Sequence, residues 1–168
     1  MTSTKLYWID GPWPGQLAIA ARPRGGEWLP DEMSTWRRAG ISHIVSLLTS
    51  EEEKDLSLKN EDREAESQGM TFTSFPIPDR QIPASETSVR SLVERLTSEL
   101  LSGKKVVIHC RQGVGRSGLV AASILIGRGF TPGAATDQLS HTRGVPVPET
   151  VQQREWLDRF ASTIVTSR

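Results

Sequence analysis

The chain has 168 residues, a length that suits one domain of ordinary size. Its 20 Lys and Arg residues balance its 20 Asp and Glu residues. This zero formal charge argues against a general nucleic-acid or membrane binder, although local charged patches remain possible.

The apolar content and the cysteine count narrow the class of protein further. Leu, Ile, Val and Phe make up about 24% of the chain, above the floor of roughly 20% below which highly charged chains stay disordered. The longest apolar stretch, 119–126, is too short to span a membrane, and Asp10, Pro12 and Pro14 interrupt any secretory signal. One cysteine excludes an internal disulfide and a multi-cysteine metal site. We therefore expect a cytoplasmic protein in which residues 1–168 form a single domain.

Short apolar runs and helical patterns alternate along the chain. The predicted strands are Leu6–Ile9, Leu17–Ala20, His43–Leu47, Thr71–Pro76 and Val106–His109. The predicted helices are Pro30–Ala39, Asn60–Gln68, Ser85–Leu101, Gly115–Gly127, Pro132–His141 and Pro148–Ile164. This alternation predicts a three-layer α/β domain with a central, mostly parallel mixed sheet of about four to five strands.

Local signals mark several of these elements. Asn60 and Ser85 stand where helix N-caps are expected, and Gly69 stands just beyond a helix end. The continuous apolar run at 106–108 is typical of a strand covered on both faces. The acidic run 51–53 is interpreted as a solvated helix start without chemistry.

The stretch His109-Cys110-Arg111-Gln112-Gly113-Val114-Gly115-Arg116-Ser117-Gly118 carries the chemistry. It lies between a buried strand and an apolar helix. Gly113 and Gly115 allow a tight loop whose backbone N–H groups turn inward, and the helix adds the positive end of its dipole. Five residues separate Cys110 from Arg116, enough to wrap the loop around a tetrahedral anion.

Each residue type in this loop suits phosphoryl transfer. N–H groups, a helix N-terminus and Arg116 favour a thiolate at Cys110, which can attack phosphorus and form a phosphocysteine. Arg116 offers a planar fork for two phosphate oxygens, and Ser117 can donate a hydrogen bond to the sulfur. The predicted phosphate-binding residues are Arg111, Gln112, Gly113, Val114, Gly115 and Arg116.

Three other interpretations of this loop are open. A lone cysteine is often a small buried hydrophobe. The loop spells GxGxxG with Asp137 about 20 residues on, as in dinucleotide sites, but Asp137 falls in a helical stretch rather than at the end of a second strand. A nucleotide-binding Walker A loop is disfavoured because Arg116 stands where lysine is needed.

The loop resembles the signature of the cysteine-dependent protein phosphatases, the tyrosine and dual-specificity superfamily. Seven positions carry the resemblance: His109, Cys110, Gly113, Gly115, Arg116, Ser117 and Gly118. The resemblance implies the phosphatase fold and a general acid on a mobile upstream loop. Ile77-Pro78-Asp79 is similar to the acid loop of the compact dual-specificity members, so Asp79 is expected to be the acid rather than a simple turn residue.

The resemblance also implies supporting residues. Segment 148–153 is similar to the family's glutamine-bearing loop, in which either Gln152 or Gln153 would orient the hydrolytic water, unless this segment is an ordinary helix start. His109 is expected to fix the loop through hydrogen bonds, whereas His43 and His141 are expected to be structural or exposed. No metal or cofactor is expected.

Together these residues predict a metal-independent phosphomonoesterase of compact dual-specificity type. The expected substrates are phosphotyrosyl proteins, with phosphoserine and phosphothreonine also admitted, and no nucleic acid or membrane partner is expected. Arg80 and Arg111 suggest acidic groups near the substrate phosphate. The alternatives are a catalytically silent phospho-binding module and a phosphatase of a non-protein phosphate such as a phosphoinositide, although the loop lacks the lysine usual for the latter.

Overall fold

A computed structural model of the chain describes residues 4–166 and contains one five-stranded sheet. The strands are β1 (Tyr7–Ile9), β2 (Gln16–Ala20), β3 (His43–Ser46), β4 (Thr71–Ser74) and β5 (Lys105–His109). Their order across the sheet is β1-β2-β5-β3-β4. The β1–β2 pair is antiparallel and the other pairs are parallel, which confirms the mostly parallel mixed sheet.

Seven α-helices are present among the described residues. They are α1 (Leu29–Arg38), α2 (Ser50–Asp55), α3 (Glu61–Ser67), α4 (Glu86–Leu101), α5 (Gly115–Gly127), α6 (Pro132–Arg143) and α7 (Val151–Thr166), and a short 3₁₀ turn (Gly26–Trp28) precedes α1. None of these helices has the length and apolar character needed to cross a membrane.

Helices cover both faces of the sheet and make the three layers. On one face, α4, α5, α6 and α7 pack over Val106 and Ile108. On the other face, α1 and α3 pack over Val107. Because side chains of a strand alternate between faces, the apolar run of β5 is buried on both sides, as its sequence predicts.

Side-chain hydrogen bonds cap some of the helix N-termini and not others. Ser85 caps α4 by accepting a hydrogen bond from the Ser88 N–H, as predicted. Asn60 is the N-cap residue of α3, as predicted, although its side chain makes no hydrogen bond to the helix. Thr49 and Glu52 form a reciprocal capping box at α2.

The register of the parallel strands positions the site. His109, the last residue of β5, lies level with Ala20 at the end of β2 and Ser46 at the end of β3. The carboxyl ends of these strands therefore meet at one edge of the sheet, and the loops that follow β3, β4 and β5 converge there.

Candidate active site

The signature loop connects β5 to α5 and surrounds a single sulfur atom. The Gly113 N–H donates to Cys110 Sγ at 3.3 Å, and Ser117 Oγ lies 3.3 Å from the same sulfur. Cys110 is only 2% exposed, yet it lines a pocket. The nucleophile predicted from the sequence therefore lies among hydrogen-bond donors that can stabilise a thiolate.

Gly113 is required by both its backbone angle and its surroundings. Its φ is +73°, in the left-handed region, and a Cβ atom there would lie 2.5 Å from the carbonyl carbon of Ala20. The loop thus passes so close to the end of β2 that only glycine fits.

Arg116 is buried beneath the loop and held in a fixed orientation. Its Nη1 donates to Glu52 Oε1 at 2.7 Å and to the Ile77 carbonyl at 2.9 Å, and its Nη2 donates to Glu52 Oε2 at 2.9 Å. Burial opposes the charged form, but the hydrogen bonds to Glu52 and the charge of Cys110 outweigh it, so the pKa of Arg116 is raised. The guanidinium stays charged.

The 51–53 run lies in the first turn of α2, as predicted, but Glu52 is buried and belongs to the site, so the prediction that the run is solvated and has no chemistry is wrong for Glu52. Its side chain is 10% exposed and forms a bidentate ion pair with Arg116, 64 positions further along the chain. Burial would raise the pKa of Glu52, but the hydrogen bonds from Arg116 and Thr49 lower it. No sequence pattern links Glu52 to Arg116, so the role of Glu52 could not be predicted.

The loop that follows β4 brings Asp79 to the pocket. Buried Ile77 anchors this loop by donating its N–H to the Leu47 carbonyl at 3.0 Å. Asp79 Oδ1 lies 3.1 Å from Arg116 Nη2, and the Asp79 side chain is 56% exposed. The structure therefore brings the candidate acid together with the candidate nucleophile and arginine.

A cavity of about 120 Å³ opens above the sulfur. Its lining residues are Asp79, Arg80, Cys110, Gln112, Gly115, Arg116 and Glu149. Arg80 and Glu149 form an ion pair of 2.6 Å at this pocket. Sequence reasoning missed Glu149, because an acidic residue at a helix start is common and carries no specific signal.

The other loop residues have different surroundings. The Arg111 side chain is 45% exposed and lies 4.0 Å from Glu52. Val114 precedes α5 and packs against the apolar core, so its side chain does not line the pocket, although its backbone belongs to the loop.

The two glutamines of the 148–153 segment are not equivalent. Gln153 is fully buried, accepts from the Glu149 and Thr150 N–H groups at 3.1 Å, and donates to the Gln81 carbonyl at 3.2 Å. Gln152 is exposed and lines a neighbouring cavity. Gln153 therefore ties the start of α7 to the loop that carries Asp79.

His109 forms a buried hydrogen-bonded contact with Glu61 behind the signature loop. Its Nε2 lies 2.6 Å from Glu61 Oε2, and both side chains are fully buried. His43 is buried at the other end of the sheet, between Glu99 at 2.8 Å and Thr73 at 2.7 Å. His141 is exposed on α6. The sequence prediction that His43 is structural is therefore in agreement with its contacts.

Comparison with known proteins adds a family and a set of relatives. The family model described as "Tc-R-P: Polymorphic toxin system, DSP-PTPase phosphatase" matches residues 19–130, which run from the end of β2 through the signature loop and just past the end of α5. The chain is 35% identical over 94 residues to cyclin-dependent kinase inhibitor 3 of Rattus norvegicus, a match that covers 55% of this chain and 44% of that protein. The chain thus spans less than half the length of this relative.

Solved structures share the whole architecture. The chain superimposes on kinase associated phosphatase, in a form with its catalytic-site cysteine replaced by serine, with a TM-score of 0.90, 24% identity and 98% coverage of both chains. It superimposes on a mutant form of Tk-PTP with a TM-score of 0.77 and 28% identity, covering 98% of this chain and 97% of the other. The phosphatase-like fold predicted from the sequence is confirmed.

Proposed function

Since this chain belongs to the DSP-PTPase phosphatase family, we propose that it hydrolyses phosphomonoesters through a covalent phosphocysteine intermediate, with Asp79 as general acid. One observation carries the proposal. The Cys110 sulfur lies 3.3 Å from both the Gly113 N–H donor and Ser117 Oγ, at the base of a cavity that Arg116 and Asp79 also line. A nucleophile, a fixed cation and a carboxyl group around one anion-sized cavity are the parts that phosphoryl transfer requires.

In the first step the Cys110 thiolate attacks phosphorus. A P–S bond forms while the P–O ester bond breaks, and protonated Asp79 gives its proton to the leaving oxygen. The inward loop N–H groups and Arg116 stabilise the charge on the three other phosphate oxygens. Because Glu52 and the Ile77 carbonyl already hold Arg116, little reorganisation of the guanidinium is needed.

In the second step water attacks the phosphocysteine. Asp79, now a carboxylate, takes a proton from this water, the P–S bond breaks, and inorganic phosphate leaves. The departing thiolate receives the Ser117 and Gly113 hydrogen bonds, which make it a better leaving group.

The contact between Asp79 and Arg116 supports the proposed role of Asp79 as the general acid. A substrate phosphate dianion would compete with the Asp79 carboxylate for Arg116 Nη2, which lies 3.1 Å from Asp79 Oδ1. Displaced from the guanidinium, the Asp79 carboxyl group would lie beside the bound phosphate, where a general acid must act.

The proposed substrates are phosphorylated proteins, phosphotyrosyl proteins first and phosphoseryl or phosphothreonyl proteins second. The small cavity, about 120 Å³, accommodates a phosphate group and leaves the rest of the substrate at the surface near Arg80 and Gln112. We also propose that residues 1–168 act as a single catalytic domain and that the protein works in the cytoplasm, where its one thiol stays reduced.

The decisive experiment compares wild type with Cys110→Ser on a chromogenic aryl phosphate. We expect Cys110→Ser to lose all measurable turnover while keeping its melting temperature and its affinity for inorganic phosphate. Near wild-type hydrolysis by the variant would refute the mechanism. A wild-type protein that binds phosphopeptides without turnover would indicate a silent binding module instead.

The role of Asp79 is tested with leaving groups of different basicity. Asp79→Ala is expected to slow hydrolysis of poor leaving groups by about 10²–10⁴-fold and that of good ones far less, because only poor leaving groups need a proton. Asp137→Ala, an exposed carboxylate on α6, is the matched control. An equal loss for both classes of leaving group would show that Asp79 is not the acid.

The substrate class is tested with phosphotyrosine, phosphothreonine and phosphoserine peptides and with phosphoinositide in vesicles. The proposal predicts the highest kcat/KM for the phosphotyrosine peptide. A clear preference for the phosphoinositide would move the function to lipid phosphates.

A further inference from the structure

Arg143, the last residue of α6, contacts the outer side of the signature loop. Its Nε donates to the Gly113 carbonyl at 3.2 Å, and its Nη2 donates to the Gln112 carbonyl at 3.1 Å. The guanidinium carbon lies 4.3 Å from the centre of the Tyr7 ring, which belongs to β1. One side chain thus binds two consecutive peptide units of the loop from behind.

The Gln112–Gly113 peptide is held at both of its polar ends. Its carbonyl accepts from Arg143, and its N–H donates to Cys110 Sγ at 3.3 Å. In a planar trans peptide the carbonyl oxygen and the N–H point in opposite directions. A bond that holds this carbonyl outward therefore also directs the N–H inward, toward the sulfur.

The neighbouring peptides repeat this arrangement. The Arg111 carbonyl accepts from the Arg22 N–H at 3.3 Å, outside the loop, and the Gly113 carbonyl accepts from Arg143. Three consecutive carbonyls are thus turned away from the pocket, so the N–H groups of residues 112, 113 and 114 are turned the other way. Gly113, at φ +73°, adopts either peptide orientation at low cost, so the loop backbone does not enforce this one by itself.

We propose that Arg143 is a positioning residue for the nucleophile and the bound phosphate. It keeps the anion-binding N–H groups of the signature loop facing inward and adds a positive charge behind them, while Tyr7 supports its guanidinium. The proposal rests on the phosphate-binding role of the loop proposed above. It extends the site to α6 and β1, which contribute no residue to the pocket itself.

Arg143 also stands at the C-terminal end of α6, where a cation stabilises the helix dipole. That role alone would affect stability and nothing else. The test therefore has to measure a property of the signature loop in addition to the melting temperature. The fraction of Cys110 present as thiolate and the affinity for phosphate report on the orientation of the loop N–H groups, because misdirected N–H groups lower both.

The variants are Arg143→Met, which keeps the apolar stem and removes the fork, and Arg143→Lys, which keeps the charge but cannot hold two carbonyls in one plane. Arg159→Met, an exposed arginine of α7, is the matched control. For each protein we would measure the melting temperature, the affinity for inorganic phosphate by calorimetry, and the rate of Cys110 alkylation by iodoacetamide between pH 4 and 9.

Arg143→Met is expected to bind phosphate about tenfold more weakly, the loss expected for one misdirected donor to an anion. Its alkylation profile is expected to shift to higher pH, with Arg143→Lys intermediate and Arg159→Met unchanged. The other titratable and charged groups near the sulfur are common to all variants, so their effects cancel in the comparison. They are Glu52 from α2, Glu61 from α3 with His109, Asp79 and Arg80 from the loop after β4, Arg111 and Arg116 from the signature loop, and Glu149 from the segment before α7.

A folded Arg143→Met with wild-type phosphate affinity and alkylation profile would overturn the proposal, even if its melting temperature fell. If Arg143→Met does not fold, Tyr7→Leu takes its place, because it removes the support of the guanidinium and is expected to shift both readouts in the same direction. Neither readout needs turnover. A wild-type protein without phosphatase activity would thus refute the proposed function while the Arg143 comparison still stands.

Discussion

Replacing Glu52 with glutamine tests the electrostatic support beneath the site. Glu52 binds Arg116 through both carboxylate oxygens, at 2.7 and 2.9 Å, and the two side chains are 10% and 2% exposed. Glutamine is nearly isosteric, but its amide NH₂ would face a guanidinium NH₂. One of the two hydrogen bonds is then replaced by a contact between donors, and the buried Arg116 charge loses its counter-charge.

The expected loss is large because the pair is buried. Exposed ion pairs contribute about 0–1 kcal/mol, whereas removing one partner of a buried pair costs about 3–5 kcal/mol. Glu52 also accepts from the Thr49 N–H in the capping box, so α2 is weakened as well. At roughly 2–4 °C per kcal/mol for a chain of this size, the melting temperature should fall by about 10 °C.

The pH dependence has a defined sign. The pKa of Glu52 is lowered from its ordinary value of 4.5, so the unfolded chain takes up this proton at higher pH than the folded protein. The stability that this carboxylate provides is complete above pH 4.5 and is lost as the pH falls through the lower, folded-state value. The difference in unfolding free energy between wild type and Glu52→Gln should therefore shrink as the pH falls below 4.5.

The assay is urea unfolding at several pH values, together with kcat for an aryl phosphate at pH 7. We expect kcat to fall about 100-fold, since Arg116 loses its fixed orientation. Glu51→Gln, an exposed neighbour in the same acidic run, should change stability by less than about 0.5 kcal/mol. A Glu52→Gln protein as stable and active as the Glu51→Gln control would refute the reasoning.

Three further outcomes are expected. Burial and the nearby Glu61 and Asp62 raise the pKa of Glu53, so its carboxylate opposes folding at neutral pH. Glu53→Gln should therefore be at least as stable as wild type in urea unfolding at pH 7. A clear loss of stability in this variant would contradict the prediction. Burial lowers the pKa of His43 below 6.5, so the wild-type protein should lose stability as the pH falls below 6.5. This part of the pH dependence should vanish in His43→Gln, and thermal unfolding at pH 5 and pH 8 would measure it. Gln153→Ala should lower the free energy of unfolding by about 2–3 kcal/mol, because two N–H groups and the Gln81 carbonyl lose their buried partner. The exposed control Gln152→Ala should change the free energy of unfolding by less than about 0.5 kcal/mol. Equal losses would show that the two side chains are equivalent.

The strand-loop-helix unit of the site can be predicted from sequence because its signals are local. The buried run of β5, the helix α5 and the glycines between them lie within one continuous segment. Few backbone conformations are compatible with their apolar pattern and glycine spacing, so the sequence alone predicts that Cys110 and Arg116 share one loop. Asp79 follows from a short sequence resemblance rather than from any spacing to Cys110.

The partners of these residues could not be predicted in the same way. Glu52, Glu61 and Arg143 reach the signature loop from α2, α3 and α6, across 64, 48 and 30 positions of sequence respectively. Glu51, Glu52 and Glu53 are identical in type, yet only Glu52 is buried. Gln152 and Gln153 are likewise identical in type, and only Gln153 turns inward.

The sequence by itself determined the chemistry that the chain can offer: one thiol, one arginine six positions later, and a glycine-rich turn at the end of a buried strand. The tertiary structure decided which other charges face that turn. The physical reason is that parallel strands bring their carboxyl ends to a single edge, where loops distant in sequence meet. Which member of a charged run becomes buried there depends on the rotation of a helix against the sheet, and composition does not record that rotation.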